Sequence, residues 1–368
     1  MSTQILINLS VISGKPTGIT TYANHLFPYL KSLAPTLLTS QRFPHYTCYS
    51  IPGNLTPDQG TQGHFRRLLW TQFQLPQIYK KLKSHLLFSP IPEAPLYTNC
   101  RFVVMFHDSI PLRFPKRFSP LTLYHRYYIP HVLQQAQHII CNSQSTAKDI
   151  IDFYQIPASK ITPILLGYDR NHFCPRPERF EHEGMEIYRG NRPYFLYIGR
   201  QDPYKNLQRL ITAFSKLPNY QDYELWLTGP TDSRYTPVLQ AQVNELQITN
   251  LVKFLDYVPY SELPKIINAA MALVFPSLWE GFGFPALEAM ACGTPVITSN
   301  ISSLPEVTGD AAILINPYNI AEIAEAMQTI ASNSELRLRL SNLGIARANQ
   351  FSWEKTGQAT LEVLKQFI

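Results

Sequence analysis

The sequence predicts an α/β protein made of two doubly wound, Rossmann-like domains that face each other across a cleft. Three observations support this fold class. The chain has 368 residues, 45% of them hydrophobic, which is more than one compact core usually holds. Short apolar runs typical of buried strands alternate with helical segments in both halves of the chain. Several of these runs end in turns rich in glycine, where a parallel strand would pass into a helix.

A change of composition indicates the domain boundaries. Residues 170–192 are charged and carry several prolines and glycines, a composition typical of a linker. We therefore predict an N-terminal domain over residues 1–175 and a C-terminal domain over residues 190–350. The last segment, residues 351–368, is predicted to be a helix.

The two halves of the chain differ in charge. Residues 1–180 carry 18 Lys and Arg against 7 Asp and Glu, a net charge of +11, and residues 181–368 carry 14 against 19, a net charge of −5. A basic half beside an acidic half indicates that the first half meets an anionic partner.

Two segments of the first half, residues 64–83 and 113–128, combine basic with aromatic side chains, and the first is predicted to be helical. They are either solvated helices with ordinary core aromatics or a surface for an anionic bilayer or a lipid-linked acceptor. Basic and aromatic residues also suit nucleic acid, but the sequence has no nucleic-acid-binding motif, so we predict no nucleic-acid partner.

The sequence favours a cytoplasmic protein, with peripheral association at the inner face of the membrane. We expect no signal peptide, because the N-terminus enters a strand without a basic region, and no apolar run nears the roughly 20 residues of a membrane span. The five cysteines are scattered and form no Cys-x-x-Cys pair, which favours reduced thiols without a zinc site.

The first predicted strand, Ile5 to Leu9, leads through Gly14 and Gly18 into an amphipathic helix. This loop is neither Gly-x-Gly-x-x-Gly nor Walker A, which disfavours a dehydrogenase and leaves an ordinary strand–helix loop as the alternative. A later buried strand, residues 101–106, delivers His107 to its carboxyl end, where α/β proteins bind ligands. Another strand is predicted to end at residues 165–166.

The second domain is predicted to start with the strand of residues 194–198, followed by a loop that contains Arg200 and Lys205. Both cations suit phosphate oxygens, and the alternative is a surface loop with two cations. Further strands and helices are predicted as follows: strands at 223–228, 251–254 and 271–275, and helices at 236–247, 259–270, 319–331 and 333–349.

A glycine turn after residue 275 organises the C-terminal half. It contains Glu280 and the tripeptide Gly281–Gly283, with Phe282 at its centre, and Pro285 stands where the first turn of a helix tolerates it. Free N–H groups at such a turn bind anionic or hydroxyl-rich ligands. Glu280 and Glu288 frame the turn, and carboxylates accept paired hydrogen bonds from sugar hydroxyls. Alternatively, Glu280 only caps the helix and Glu288 is solvated.

Together these motifs resemble the Glu-x7-Glu signature of family 4 (group 1) retaining glycosyltransferases, which have the GT-B fold. The resemblance is nearest to the mannosyltransferase-like branch. It covers most of the chain, and the motifs that carry it occur in the expected order: His107-Asp108, Gly167-Tyr168-Asp169, Gly199-Arg200 with Lys205-Asn206, Glu280 to Glu288, Ser302 to Val307, and Gly309 to Ala312.

The resemblance implies roles for individual residues. It makes the first domain acceptor-binding and the second nucleotide-sugar-binding, with the C-terminal helix crossing back to the first. His107 and Glu280 would be catalytic and contact the donor sugar. The implied donor-binding residues are Gly14, Gly18, Arg200, Lys205, Gly281, Phe282, Gly283 and Glu288.

The expected activity is transfer of a hexose, with mannose as best guess, from a GDP- or UDP-hexose to a saccharide or lipid-linked acceptor in polysaccharide biosynthesis. The chain has no Asp-x-Asp pair, so we predict no metal site and no cofactor. A glycoside hydrolase also needs two carboxylates, but eight helical residues would span about 12 Å, longer than its usual separation. A non-catalytic nucleotide-sugar- or glycan-binding protein is the other alternative.

Overall fold

The computed structural model describes residues 4–12, 18–176 and 192–368. It divides into two compact units, one formed by Met1–Gly167 with Trp353–Ile368 and the other by Tyr168–Ser352. Gly14 and most of the predicted linker lie outside the described residues. In the described part, no helix is both long and apolar enough to cross a membrane.

The first unit is built on a seven-stranded parallel sheet. Its strands are β1 (Ile5–Asn8), β2 (Thr36–Thr39), β3 (Thr47–Ser50), β4 (Leu86–Ser89), β5 (Phe102–Phe106), β6 (His138–Cys141) and β7 (Ile161–Pro163). Their order is β3-β2-β1-β4-β5-β6-β7, so the chain winds outward in both directions from β1 and β4. β7 ends at Pro163 rather than at residues 165–166 as predicted, because the apolar run continues beyond the pairing with β6.

The helices of this unit are α1 (Gly18–Leu26), α2 (Gly60–Phe73), α3 (Leu75–Lys81), α4 (Ile110–Arg113), α5 (Pro120–Leu123), α6 (Ile129–Gln135) and α7 (Gln144–Tyr154). The single helix expected over 64–83 is thus two helices. Pro76 lies in the first turn of α3, where its missing N–H and its ring break the continuity with α2. Residues 113–128 are only partly helical, with a π-helical turn at Tyr124–Tyr128 after α5.

The second unit carries a six-stranded parallel sheet. Its strands are β8 (Tyr194–Ile198), β9 (Glu224–Thr228), β10 (Val252–Leu255), β11 (Ala272–Phe275), β12 (Val296–Ser299) and β13 (Ile313–Ile315), in the order β10-β9-β8-β11-β12-β13. Its helices are α8 (Leu207–Ser215), α9 (Thr236–Glu245), α10 (Leu263–Ala269), α11 (Phe284–Ala291), α12 (Leu304–Thr308), α13 (Ile320–Ser332) and α14 (Ser334–Ala348).

The last helix, α15 (Trp353–Lys365), belongs to the first unit. A Cβ atom added at Gly357 would lie 2.3 Å from the Cβ atom of Tyr29, so only glycine permits this approach of α15. The Trp353 ring stacks on His25 at 5.1 Å, and the Thr356 hydroxyl donates to the Leu165 carbonyl at 2.8 Å. α15 therefore completes the packing of a sheet whose strands all lie within the first 163 residues.

Both units are doubly wound, and this confirms the predicted α/β class with two Rossmann-like domains. In each sheet the winding direction reverses at a pair of neighbouring strands, β1 and β4 in the first and β8 and β11 in the second. Ligands of open α/β sheets bind at the carboxyl ends of such strands. The loops that follow β8 and β11 are therefore the place to look for a site in the second unit.

Candidate active site

The loops after β8 and β11 are tied to each other by backbone and side-chain hydrogen bonds. The Leu278 N–H donates to the Tyr204 carbonyl at 2.7 Å. The Asn206 side-chain amide donates to the Pro276 carbonyl at 3.0 Å, and Asn206 itself has a left-handed φ of 67°, which asparagine tolerates better than most residues. The loop that carries Arg200 and Lys205 thus has a fixed position relative to the glycine turn.

The glycine turn leads into α11 as the sequence predicts. Gly283 has a φ of 109°, and a Cβ atom there would lie 2.7 Å from Cδ2 of Leu304, so the position needs glycine on both grounds. Pro285 lies in the first turn of α11. The buried Ser303 hydroxyl makes close contacts with two turn carbonyls, those of Glu280 at 3.0 Å and Phe282 at 2.8 Å. These contacts hold the turn in one conformation.

Lys205 and Glu280 form an ion pair at the centre of these loops. The Lys205 Nζ atom lies 2.6 Å from Oε1 of Glu280, and the two side chains are only 12% and 10% exposed. The Lys205 ammonium also lies 5.2 Å from the ring centres of Tyr204 and Phe275. A cation suited to phosphate and a carboxylate suited to sugar hydroxyls, 75 positions apart in sequence, therefore share one place.

Arg200 has a different environment from Lys205. Its guanidinium Nε lies 3.1 Å from Oδ2 of Asp202 on the same loop, and its side chain is 65% exposed. An exposed pair of this kind contributes little to stability. The guanidinium is therefore available to an anionic ligand at small cost to the fold.

Glu288 lies on α11 and has no cationic neighbour among the described residues. Burial of its carboxyl group raises its pKa from 4.5 to about 8. Among the described residues none donates a hydrogen bond to this carboxylate. A hydroxyl-bearing ligand such as a ribose would supply donors that the protein itself does not provide.

The raised pKa of Glu288 predicts that the ligand-free protein loses stability as pH rises. The folded state holds the proton up to about pH 8 and the unfolded chain releases it near pH 4.5, so the unfolding free energy falls across this window. The upper limit is about 5 kcal/mol at 1.36 kcal/mol per pKa unit, and water at the partly exposed carboxyl reduces it. Glu288→Gln removes the titration. Thermal unfolding of both proteins should show the variant's advantage growing from pH 5 to pH 8, and a constant difference would contradict the assignment.

His107 and Gly18 belong to the first unit. His107 directly follows β5, and its Nε2 lies 2.8 Å from the Pro90 carbonyl after β4. A carbonyl only accepts hydrogen bonds, so Nε2 carries the proton and Nδ1 presents a lone pair. Burial lowers the pKa of His107 to about 4, which keeps the ring neutral. The buried Tyr22 ring packs edge-on against it at 5.2 Å. Gly18 is exposed at the first position of α1.

Sequence reasoning gave no individual role to several residues that hold the site. Ser302 accepts the Glu280 N–H at 3.2 Å and has a left-handed φ of 59°, an uncommon conformation for serine. The Asp202 carboxylate forms an ion pair with Arg200. The Pro90 carbonyl accepts a hydrogen bond from His107. The motif of Ser302 and Ser303 was visible in the sequence, but nothing in it indicated which carbonyls the hydroxyls meet.

Two family comparisons cover most of the chain. Residues 17–172 match the family described as Glycosyltransferase Family 4, and residues 180–347 match Glycosyl transferases group 1. The chain is 32% identical over 275 residues to O-antigen chain mannosyltransferase B of Escherichia coli. This alignment covers 72% of the present chain and 70% of the relative. The chain belongs to the family 4, group 1 glycosyltransferases. This confirms the resemblance found in the sequence.

Other relatives of this glycosyltransferase cover nearly its whole length. O-antigen chain mannosyltransferase RfbU of Salmonella typhimurium is 26% identical over 351 residues, 92% of this chain and 94% of the relative. Among solved structures, Anabaena Alr3699/HepE in complex with UDP-glucose has a TM-score of 0.78 at 20% identity, with 99% of each chain covered. The sucrose-phosphate synthase of Thermosynechococcus elongatus has a TM-score of 0.76 at 19% identity, with 99% and 98% covered. These structures share its fold.

Proposed function

We propose that this glycosyltransferase moves a hexose, with mannose the first candidate, from a GDP- or UDP-hexose to a saccharide or lipid-linked acceptor with retention of configuration. The observation that carries the proposal is the Lys205–Glu280 pair, held on two tied loops where the winding of the second sheet reverses. The names of both O-antigen relatives support mannose. The structural neighbour was solved with UDP-glucose, so UDP-hexoses are the alternative donors.

We assign the donor to the domain of residues 190–350 and the acceptor to the domain of residues 1–175. In the donor domain, Arg200 and Lys205 contact the diphosphate, and Glu288 accepts hydrogen bonds from the ribose. Glu280 and the N–H groups of Gly281, Phe282 and Gly283 contact the sugar. We propose Gly14 and Gly18 as further donor-binding residues.

The chemistry requires charge stabilisation at the leaving group. The bond between the anomeric carbon and the phosphate oxygen breaks, and the acceptor oxygen forms its bond on the same face. The departing phosphate takes the acceptor proton. Negative charge grows on the diphosphate as the bond breaks, so cations fixed beside it lower the barrier.

His107 serves as a neutral hydrogen-bond acceptor in this scheme. With its Nε2 proton directed at the Pro90 carbonyl and its pKa near 4, it holds no proton to give at neutral pH. Its Nδ1 lone pair accepts a hydroxyl of the donor sugar. This contact orients the sugar and leaves proton transfer to the phosphate.

A panel of nucleotide-sugars tests the proposed function. Thermal stabilisation and release of nucleoside diphosphate are measured for GDP-mannose, GDP-fucose, UDP-glucose and UDP-galactose, with and without mannosyl acceptors. We expect GDP-mannose to give the largest stabilisation and the fastest acceptor-dependent release. Preference for a UDP-hexose would overturn the mannose assignment, and release unaffected by any saccharide acceptor would favour hydrolysis.

Sugar transfer is predicted to survive excess chelator. The chain has no Asp-x-Asp pair, and Arg200 and Lys205 supply the positive charge that a divalent ion supplies elsewhere. The measurement is turnover on the identified donor in EDTA, with and without added manganese. Activity that falls to background in EDTA and returns with manganese would contradict this prediction.

We place the enzyme in the cytoplasm, at the inner face of the membrane, with an acceptor that is a growing lipid-linked saccharide. The support is the net charge of +11 over residues 1–180, together with the relatives' names as O-antigen chain enzymes. An anionic bilayer attracts such a half, and the lipid would present the acceptor there.

A further inference from the structure

We infer that the outer side of α2, together with the neighbouring segment of residues 116–127, forms a docking face for an anionic phospholipid surface. We call this region the α2 face. Phe65, Leu69 and Phe73 are the side chains that enter the headgroup region. The inference rests on the proposed lipid-linked acceptor and names the surface that brings the enzyme to it.

α2 exposes its large apolar side chains in one stripe. Phe65, Leu69 and Phe73 follow each other at intervals of four, which places them on one side of the helix, and they are 60%, 43% and 66% exposed. The opposite side is buried and includes Arg67 and Trp70. A helix of a water-soluble protein usually turns such a stripe inward, so an exposed one indicates a partner.

The segment of residues 116–127 adds to this apolar surface. The Tyr124 ring packs edge-on against His64 at 5.0 Å, and the Gln72 amide lies 2.9 Å from the Tyr128 hydroxyl, so residues 124–128 run along α2. His64 and Gln72 form the flank of α2 next to the exposed stripe. The exposed apolar residues of the segment are Phe118, Leu121, Leu123 and Tyr127.

The charge around these residues is mainly positive, and the exposed Asp58 just before α2 is the exception. Residues 60–148 contain 11 Lys and Arg and only two carboxylates, Glu93 and Asp108. Glu93 is 1% exposed, and its carboxylate accepts a hydrogen bond from the Arg67 Nε at 2.7 Å. Asp108 is half-buried. The cations Arg66, Arg117 and Arg126 are exposed. This stretch therefore presents cations and apolar groups and no exposed carboxylate.

This combination fits anionic headgroups above an apolar layer. A second copy of the chain on the same face would bring like charges together, which opposes self-association. A nucleic acid would meet the cations but would leave the aliphatic and phenyl stripe of α2 without a partner. The lipid surface alone satisfies both kinds of side chain.

Vesicle sedimentation of the full chain tests the inference. The vesicles contain either phosphatidylcholine alone or three parts phosphatidylcholine to one part phosphatidylglycerol. Wild-type protein should bind only the anionic vesicles and be released by salt. R117Q/R126Q should bind roughly 25-fold more weakly, from about 1 kcal/mol for each cation. F65S/F73S should bind the anionic vesicles at least roughly tenfold more weakly than the wild type.

Matched variants on the second unit serve as controls. Y257S/L338S removes similarly exposed apolar side chains, and K216Q/R339Q removes two exposed cations. Both should bind as wild type. Equal binding by control and α2-face variants, no preference for anionic vesicles, or a wild-type dimer that F65S/F73S dissociates would overturn the inference. Nucleoside diphosphate release on a water-soluble acceptor without vesicles should be the same for all these proteins, and its absence would count against the proposed function instead.

Discussion

Glu280→Ala and His107→Ala should each reduce sugar transfer by roughly 100- to 1,000-fold while leaving nucleoside diphosphate binding intact. The proposed partner of both side chains is the reacting sugar rather than the nucleotide. Contacts that strengthen in the transition state affect turnover more than ground-state binding. A loss of this size corresponds to about 2.7–4 kcal/mol, the range measured for single transition-state donors.

The measurement is a pair of values for each variant, turnover on the identified donor and calorimetric affinity for the diphosphate. Removing Glu280 frees the Lys205 ammonium from its partner at 2.6 Å, so diphosphate affinity should stay equal or rise. The exposed Glu325→Ala and His85→Ala control for the loss of a carboxylate or an imidazole elsewhere. If Glu280→Ala and His107→Ala transferred sugar at the wild-type rate, the assignment of these residues to the glycosyltransferase site would be wrong.

Lys205→Ala should show two separate losses, one in diphosphate affinity and one in stability. A charge-assisted contact is worth roughly 1.5–3 kcal/mol, so affinity should fall by roughly 10- to 150-fold. The same substitution leaves the Glu280 carboxylate about nine-tenths buried without its cation. Breaking such a pair costs about 3 kcal/mol in unfolding free energy.

A second substitution separates the two effects. Lys205→Ala combined with Glu280→Gln removes the unpaired charge, so it should recover most of the lost stability and none of the diphosphate affinity. Denaturant unfolding and calorimetry on the single and double variants, with the exposed Lys216→Ala as control, provide the comparison. Unchanged affinity in Lys205→Ala would contradict the phosphate role, and unchanged stability would contradict a structural contribution from the pair.

The sequence predicted most strongly those features that depend on neighbouring residues. The strand Tyr194–Ile198 and the glycine turn before α11 follow from apolar runs, glycine and proline within a few positions. The sequence does not predict the short strands β2, β3, β4 and β13. They have three or four residues each, too few for a period, and β3 lies at a sheet edge with largely exposed side chains.

For the site, the sequence indicated which residues to consider but not which of them meet. The sequence predicts that Lys205 and Glu280 both contact the donor, yet their ion pair depends on β8 and β11 being neighbours in the sheet. The neutral state of His107 likewise depends on burial, and its tautomer depends on the Pro90 carbonyl, which lies 17 positions earlier. Long-range pairing and solvation of this kind cannot be read from a local pattern.

The place of α15 in the first unit affects the order in which the chain can fold during synthesis. The second unit, Tyr168–Ser352, is continuous, whereas the first is interrupted and takes in Trp353–Ile368. Residues 353–368 emerge from the ribosome after the whole second unit, and they bring Trp353 to His25 and the glycine that fits against Tyr29. The second unit can therefore reach its native packing first, whereas the first unit lacks its last helix until residues 353–368 have emerged. An arrested nascent chain in which a flexible linker long enough to fill the exit tunnel follows residue 352 would hold a protease-resistant second unit and an unfinished first one.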